Sequence, residues 1–335
     1  MEKNGNQPVC LLSVPLIFIQ FFFPRTSNSF FHFFSSKLLF VFLLLILFIP
    51  ISSAQNRVLD SLQTLIKANP SNDTLKANLF NQISREYLYN FNNLEKMKQY
   101  ASQAILLSQK NNHKKGLAYG YIYFGIYYYN QSNYDYALNY YTKSLKLLEE
   151  LNDLKGMGSA YLNIGSIYGS RGDYNKALIF MLKAAKLKEA AKDERGTSAA
   201  YNNIGNMYSD QSKYAEALSY HMKSLRIKEH MNDKVGISMA YNNMGTLFQI
   251  QGKMDEAIDY QFRSLRLKEE LNDKLGVSVA YTNIASLYIE QKKYTEGLDY
   301  NFRALKLKQE LKDKAGEALC YSSIGTAYTA QKKNH

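Results

Sequence analysis

Five histidines, at positions 32, 113, 221, 230 and 335, and two cysteines, Cys10 and Cys320, are the best candidates for metal or nucleophilic chemistry in this 335-residue chain. They do not converge. His221 and His230 stand nine residues apart on one predicted helix and so point to opposite faces. The cysteines match no metal-ligand spacing and are too few for a disulfide framework. No phosphate loop, HExxH, G-x-S-x-G or CxxC motif occurs. The chain is therefore read as non-catalytic, with no metal and no cofactor.

Two other sets recur at regular spacing. Asn163, Asn203, Asn243 and Asn283 are forty residues apart, and asparagine offers both a donor and an acceptor. It can hold a peptide backbone without reading its side chains, or bond the backbone of a neighbouring helix. Lys143/Lys146, Lys183/Lys186, Lys223/Arg226, Arg263/Arg266 and Arg303/Lys306 form a basic ladder that could track a polyanion. Glu150, Glu270 and Glu310 follow a base at four residues, and no aromatic residue interleaves the ladder to stack bases. A paired, solvated helix surface is expected there, and no nucleic acid.

Composition bounds what could position these residues. With 46% apolar and 21% charged residues and a net charge of +12, the chain is neither disordered nor fibrous nor a polytopic membrane protein. Residues 1–54 read as a leader. Lys37 precedes the apolar run 38–49, and Pro50 and small residues follow. Cleavage after Ala54 would make a signal peptide; retention would make a signal anchor, because no charge occurs between Lys37 and Arg57. Either way the remainder is expected outside the cytoplasm, periplasmic or membrane-anchored through 38–53.

From residue 121 the chain aligns with itself every forty residues. The block openings read YIYFGIYYY, YLNIGSIYG, YNNIGNMYS, YNNMGTLFQ, YTNIASLYI and YSSIGTAYT. Tyr201, Ile204, Gly205 and Tyr208 sit at i, i+3, i+4 and i+7, one face of a helix. A short turn follows, then a second helix over 214–231 burying Ala217, Leu218, Tyr220, Ser224, Leu225 and Ile227. Asp153, Asp193, Asp233, Asp273 and Asp313 stand where each next helix needs an N-cap, and Asp73 extends the column back. Gly125, Gly165, Gly205, Gly245 and Gly325 mark close approach of paired helices. The 28 tyrosines, as in Tyr121, Tyr128, Tyr134 and Tyr140, are read as packing rings with their hydroxyls at the rim. A helix over 57–68 would cap the start, leaving the divisions 1–54, 55–72, 73–331 and 332–335.

These residues resemble the tetratricopeptide repeat family. Tyr161, Ile164, Gly165 and Tyr168 meet its first-helix pattern, and Tyr174, Ala177, Leu178 and Ala184 its second. Tyr replaces the usual Trp, and Glu149, Glu189, Glu229 and Glu269 stand where the family has Pro, as in its longer forty-residue variety. The resemblance implies an all-α right-handed solenoid of antiparallel helix pairs, with six full repeats over 73–311 and a lone first helix over 313–331. That last helix is expected to expose Tyr321, Ile324 and Tyr328. The resemblance also implies a concave groove for a peptide or a partner's segment. Its lining here would be Asn163, Asn202, Asn203, Asn206, Asn242, Asn243, Thr246, Gln249, Thr282 and Asn283. A binding scaffold is the expected function, with two alternatives: the sensory region of a histidine kinase, or a polyanion binder using the ladder.

Overall fold

The computed structural model describes the backbone of residues 52–333 and the side chains of 57–332. The leader's apolar core at 38–49 lies outside the described residues. No helix among the described residues is long and apolar enough to cross a membrane.

Fourteen helices, and no strand, make up the described chain. The first, α1 (Ser52–Ala68), begins a few residues before the expected start at 57. Twelve helices follow as six antiparallel pairs, each helix 17 residues long. They are α2 (Asp73–Tyr89) with α3 (Leu94–Lys110), α4 (Lys114–Asn130) with α5 (Tyr134–Glu150), and α6 (Leu154–Ser170) with α7 (Tyr174–Ala190). Next come α8 (Glu194–Asp210) with α9 (Tyr214–His230), α10 (Lys234–Ile250) with α11 (Met254–Glu270), and α12 (Lys274–Glu290) with α13 (Tyr294–Glu310). A final helix, α14 (Lys314–Lys333), packs mainly on α13, with a lighter contact to α12, as a half repeat.

Sequence chemistry sets these boundaries. Each turn from residue 92 on places one residue at positive φ, and these fall every twenty positions: Asn92, Asn112, Ser132, Asn152, Gly172, Lys192, Ser212, Asn232, Gly252, Asn272, Lys292 and Lys312. A left-handed residue closes the helix before it and reverses the chain. Asp153, Asp193, Asp233, Asp273 and Asp313 then each accept the N–H of the glycine three residues on, at 2.9–3.2 Å. Those glycines have no room for a side chain: a Cβ at Gly236 would overlap the Asp233 carboxylate. The expected cap at Asp73 is corrected. Asn72 caps α2 through the Leu75 N–H, leaving Asp73 as the first helical residue.

Within each pair a second-helix ring lies between two first-helix rings. Tyr100, Tyr140, Phe180, Tyr220, Tyr260 and Tyr300 occupy this slot, with centroid separations of 5.3–6.1 Å. The first-helix glycines admit the next side chain on the second helix. A Cβ would come within 2.7 Å of Met181 at Gly165 and 2.8 Å of His221 at Gly205. Ile324, expected to be exposed on α14, is instead 8% exposed because it seats against Leu298 and Leu305 of α13. Tyr321 and Tyr328 are exposed as expected.

Candidate functional site

First helices of successive repeats touch, as in α2 with α4, α4 with α6, α6 with α8 and α12 with α14, whereas no two second helices approach comparably. The first helices therefore line the inner side. On α10 the face turned away from its partner carries Val235, Met239, Asn242, Thr246 and Gln249, at helical spacing.

Asparagines join these helices edge to edge. The Asn243 Nδ2 donates to Asn202 Oδ1 at 2.8 Å, and the Asn283 Nδ2 donates to Asn242 Oδ1 at 2.9 Å. Asn283 also reaches Gln261 Oε1 at 3.5 Å, while Gln261 donates to the Asn242 carbonyl at 3.3 Å. The expected alternative partner, a neighbour's backbone, is thus corrected to a neighbour's side chain. Because the acceptor oxygens of Asn202 and Asn242 are engaged, their amide N–H groups are left for something else. Asn163 and Asn203 make no such bond, since Ile122 and Leu162 stand where an acceptor would be needed. Asn206 and Thr246 are exposed. Thr246 Oγ1 donates to the Asn242 carbonyl at 3.1 Å and Thr282 Oγ1 to the Ser278 carbonyl at 3.0 Å. Gln249 donates to the Glu290 carboxylate.

Sequence reasoning missed the apolar part of this face. Val235, Met239, Leu275, Val279 and Leu319 lie on α10, α12 and α14 and are 41–65% exposed. Their own forty-residue recurrence, offset from the packed columns, was the available signal. Lys234 and Lys274 flank them but are held by Glu270 at 3.1 Å and Glu310 at 3.2 Å, so the row has no free charge beside it on these two helices.

The basic ladder differs from expectation in two respects. Glu150, Glu270 and Glu310 pair with Lys114, Lys234 and Lys274 of preceding first helices rather than with the ladder base four residues earlier. Aromatic rings do interleave the ladder: Lys143, Lys183, Lys223, Arg263 and Arg303 sit 4.2–5.5 Å from ring centroids. Those rings are already packed between helices, so they support the cations rather than offer a stacking platform. Asp259 and Asp299 neutralise Arg263 and Arg303 at 2.8 Å each. Lys143, Lys146, Lys183, Lys186, Lys223 and Arg226 have no carboxylate within ion-pair distance.

The ionisable residues assemble no reaction centre. His230 is exposed and meets Glu194 at 3.3 Å, whereas His221 is 2% exposed, with Nδ1 unpartnered. Burial, helped by Lys228, pushes the His221 ring down to about 4. Lys188 is buried beneath the α7–α8 turn, and burial lowers its ammonium despite Asp193 at 3.3 Å. Among the described residues no group of three or more His, Cys, Asp or Glu could hold a metal.

Comparison with known proteins agrees with this geometry. Residues 156–230, 196–270 and 236–300 match the sequence profile of the tetratricopeptide repeat. No curated protein matches the chain. Among solved structures, a signal transduction ATPase with a tetratricopeptide repeat sensor from Pyrococcus horikoshii aligns with TM-score 0.62 and 16% identity, over 84% of this chain and 44% of that one. A Rap protein complexed with Competence and Sporulation Factor aligns with TM-score 0.58 and 15% identity, over 82% and 81%. The quorum sensor NprR from B. thuringiensis aligns with TM-score 0.58 and 18% identity, over 79% and 74%. At such identities the likeness is one of fold. Periodicity, helix pairing and the profile match together make this chain a member of the tetratricopeptide repeat family.

Proposed function

We propose that the chain is a non-catalytic scaffold whose inner face, over α8 to α14, binds an extended peptide or an extended segment of a partner protein. The observation that carries this reading is the asparagine clasp. It orients the free N–H groups of Asn202 and Asn242 beside the exposed row of Val235, Met239, Leu275, Val279 and Leu319. Oriented donors suit peptide carbonyls, and uncovered apolar side chains suit those of a ligand. The likeness to a quorum sensor and to a Rap protein solved with Competence and Sporulation Factor accords with a peptide ligand. We place the scaffold outside the cytoplasm, delivered or held by its leader, on the strength of the apolar run 38–49 and the flanking Lys37.

Asn242→Asp tests the site. The carboxylate still accepts from Asn283, so the clasp survives, but the Asn242 donors are gone. Against capped peptides of alternating leucine and serine, we expect at least ten-fold weaker binding by fluorescence anisotropy, with unchanged helicity. Equal affinity would remove Asn242 from the site, and failure of every peptide, whether apolar, acidic or basic, would sink the groove itself.

A second reading is favoured by the six uncompensated cations on α5, α7 and α9, which could hold a polyanion. Binding of inorganic polyphosphate that weakens steeply with salt and is lost in Lys183→Glu with Lys186→Glu would support it.

A further inference from the structure

Four lysines leave the second helices and thread between first helices. Lys188, Lys228, Lys268 and Lys308 stand forty residues apart, near the ends of α7, α9, α11 and α13. A Cβ on Gly196, Gly236, Gly276 or Gly316, each in the first helix that follows, would come within 2.7–3.1 Å of the lysine Cδ, so the stems lie pressed against those backbones. Lys188 also runs beside Gly158 of α6 and is thus held between two successive first helices. Its Nζ comes out at Ser159, donating to the hydroxyl at 3.0 Å and to Asp193 at 3.3 Å. The places equivalent to Ser159 hold Ala199, Met239 and Val279, and the last two belong to the exposed apolar row of the inner face.

The three later lysines have lost that hydroxyl, and no other group of the chain replaces it. Lys268 and Lys308 are 8% and 6% exposed and Lys228 is half-buried, yet none of their ammoniums has a hydrogen-bond acceptor or a carboxylate within 4 Å. Asp233 and Asp273 each spend an oxygen on a glycine N–H at 2.9 Å and act on Lys228 and Lys268 only from further off. Burying an ammonium without an acceptor is costly, so an oxygen brought by a ligand gains more here than on an open surface. A carboxylate gains most, because bonds between two charged partners are the strong ones. We propose that Lys228, Lys268 and Lys308 select the ligand of the inner face, which is an acidic extended segment with a carboxylate at every third residue. Packed helices lie roughly 8–10 Å apart. An extended chain with three residues per turn brings each third side chain back to one side after about 9 Å. The residues between would meet Met239 and Val279. Acid recognition here rests on the inner-face binding proposed above and names its ligand. The basic ladder plays no part in it, since its cations are exposed on the second helices themselves.

The probes are two capped peptides, four copies of Leu-Ser-Glu and four copies of Leu-Ser-Gln, added to the full-length chain and followed by fluorescence anisotropy. We expect the glutamate peptide to bind at least ten-fold more tightly. In Lys268→Met with Lys308→Met the unbranched methionine keeps the buried stem and removes the charge. That variant should bind the glutamine peptide as the parent does, which also shows it folded, while its preference for glutamate falls below about three-fold. Lys183→Glu with Lys186→Glu, on the exposed ladder, should keep the preference. Equal binding of the two peptides to the parent would overturn the acid selection and leave the inner face standing. A preference undiminished in the methionine variant, or lost in the ladder variant, would overturn it by moving the anion to other cations. Binding of neither peptide would overturn it as well, and the inner-face reading would fall with it only if the alternating leucine and serine peptides also failed.

Discussion

His221 is the residue at which the core departs most from what its neighbours lead one to expect. The equivalent places hold Tyr141, Met181, Gln261 and Asn301, and an imidazole fits the same slot against Gly205 only when neutral. Burial holds its folded value at about 4, while the unfolded chain titrates near the ordinary 6.5. A depressed histidine is stabilising above 6.5, and the contribution is lost as pH falls from there to about 4. Over that window about 3 kcal/mol should disappear. Urea denaturation at stepped pH should show this loss in the parent and little of it in His221→Met, which borrows the side chain of the repeat before. A pH dependence identical in both proteins would mean that the ring is solvated. The asparagines and the buried Lys188 belong to the same scale, and their cross-helix partners could not be read locally. Asn243 and Asn202 are 41 residues apart, and Lys188 meets Ser159 across 29. Sequence showed residues able to bond, and only the stacking of helices showed with what.

Helices and turns were legible nearly to the residue, because six imperfect copies average out the ambiguity of any one. The second helix expected over 214–231 spans Tyr214–His230, and the aspartate column caps where it was placed. What failed was transfer of a column into a divergent copy, where Asn72 rather than Asp73 is the cap. The polar pairing of the ladder also failed. Its glutamates look four residues back in sequence, yet in space they lie nearer a lysine thirty-six residues away, as Lys274 does to Glu310 at 3.2 Å. The turns make their own prediction. Lys292 adopts φ 62°, a conformation that Gly172 and Gly252 take at the equivalent points without a Cβ penalty. Lys292→Gly should therefore stabilise the array by roughly 1 kcal/mol, less the extra entropy of glycine in the unfolded chain. A lowered urea midpoint would show the left-handed turn to be relaxed.

At the scale of the molecule, stability is a sum over neighbours, since contacts run chiefly from each helix to the next and, more lightly, to the next but one. Ends should open before the middle. Hydrogen exchange is expected to be fastest in α14, which has neighbours on one side only, and slowest in α6 to α9, with uniform protection excluding this account. The left-handed residues at every twentieth position add a further consequence. They act as a ruler that counts in whole repeats. Excising residues 194–233 joins one aspartate-capped turn to an equivalent one and should leave a shorter array that folds with every cap renewed, with Leu162 in place of Asn202 opposite Asn243. Excising only twenty residues would set a first helix where a second belongs, with Gly against Gly and no ring for the slot. Length in this protein is quantised, so its reach toward a partner can be lengthened or shortened in steps of forty residues with the turns and helix pairing kept in phase.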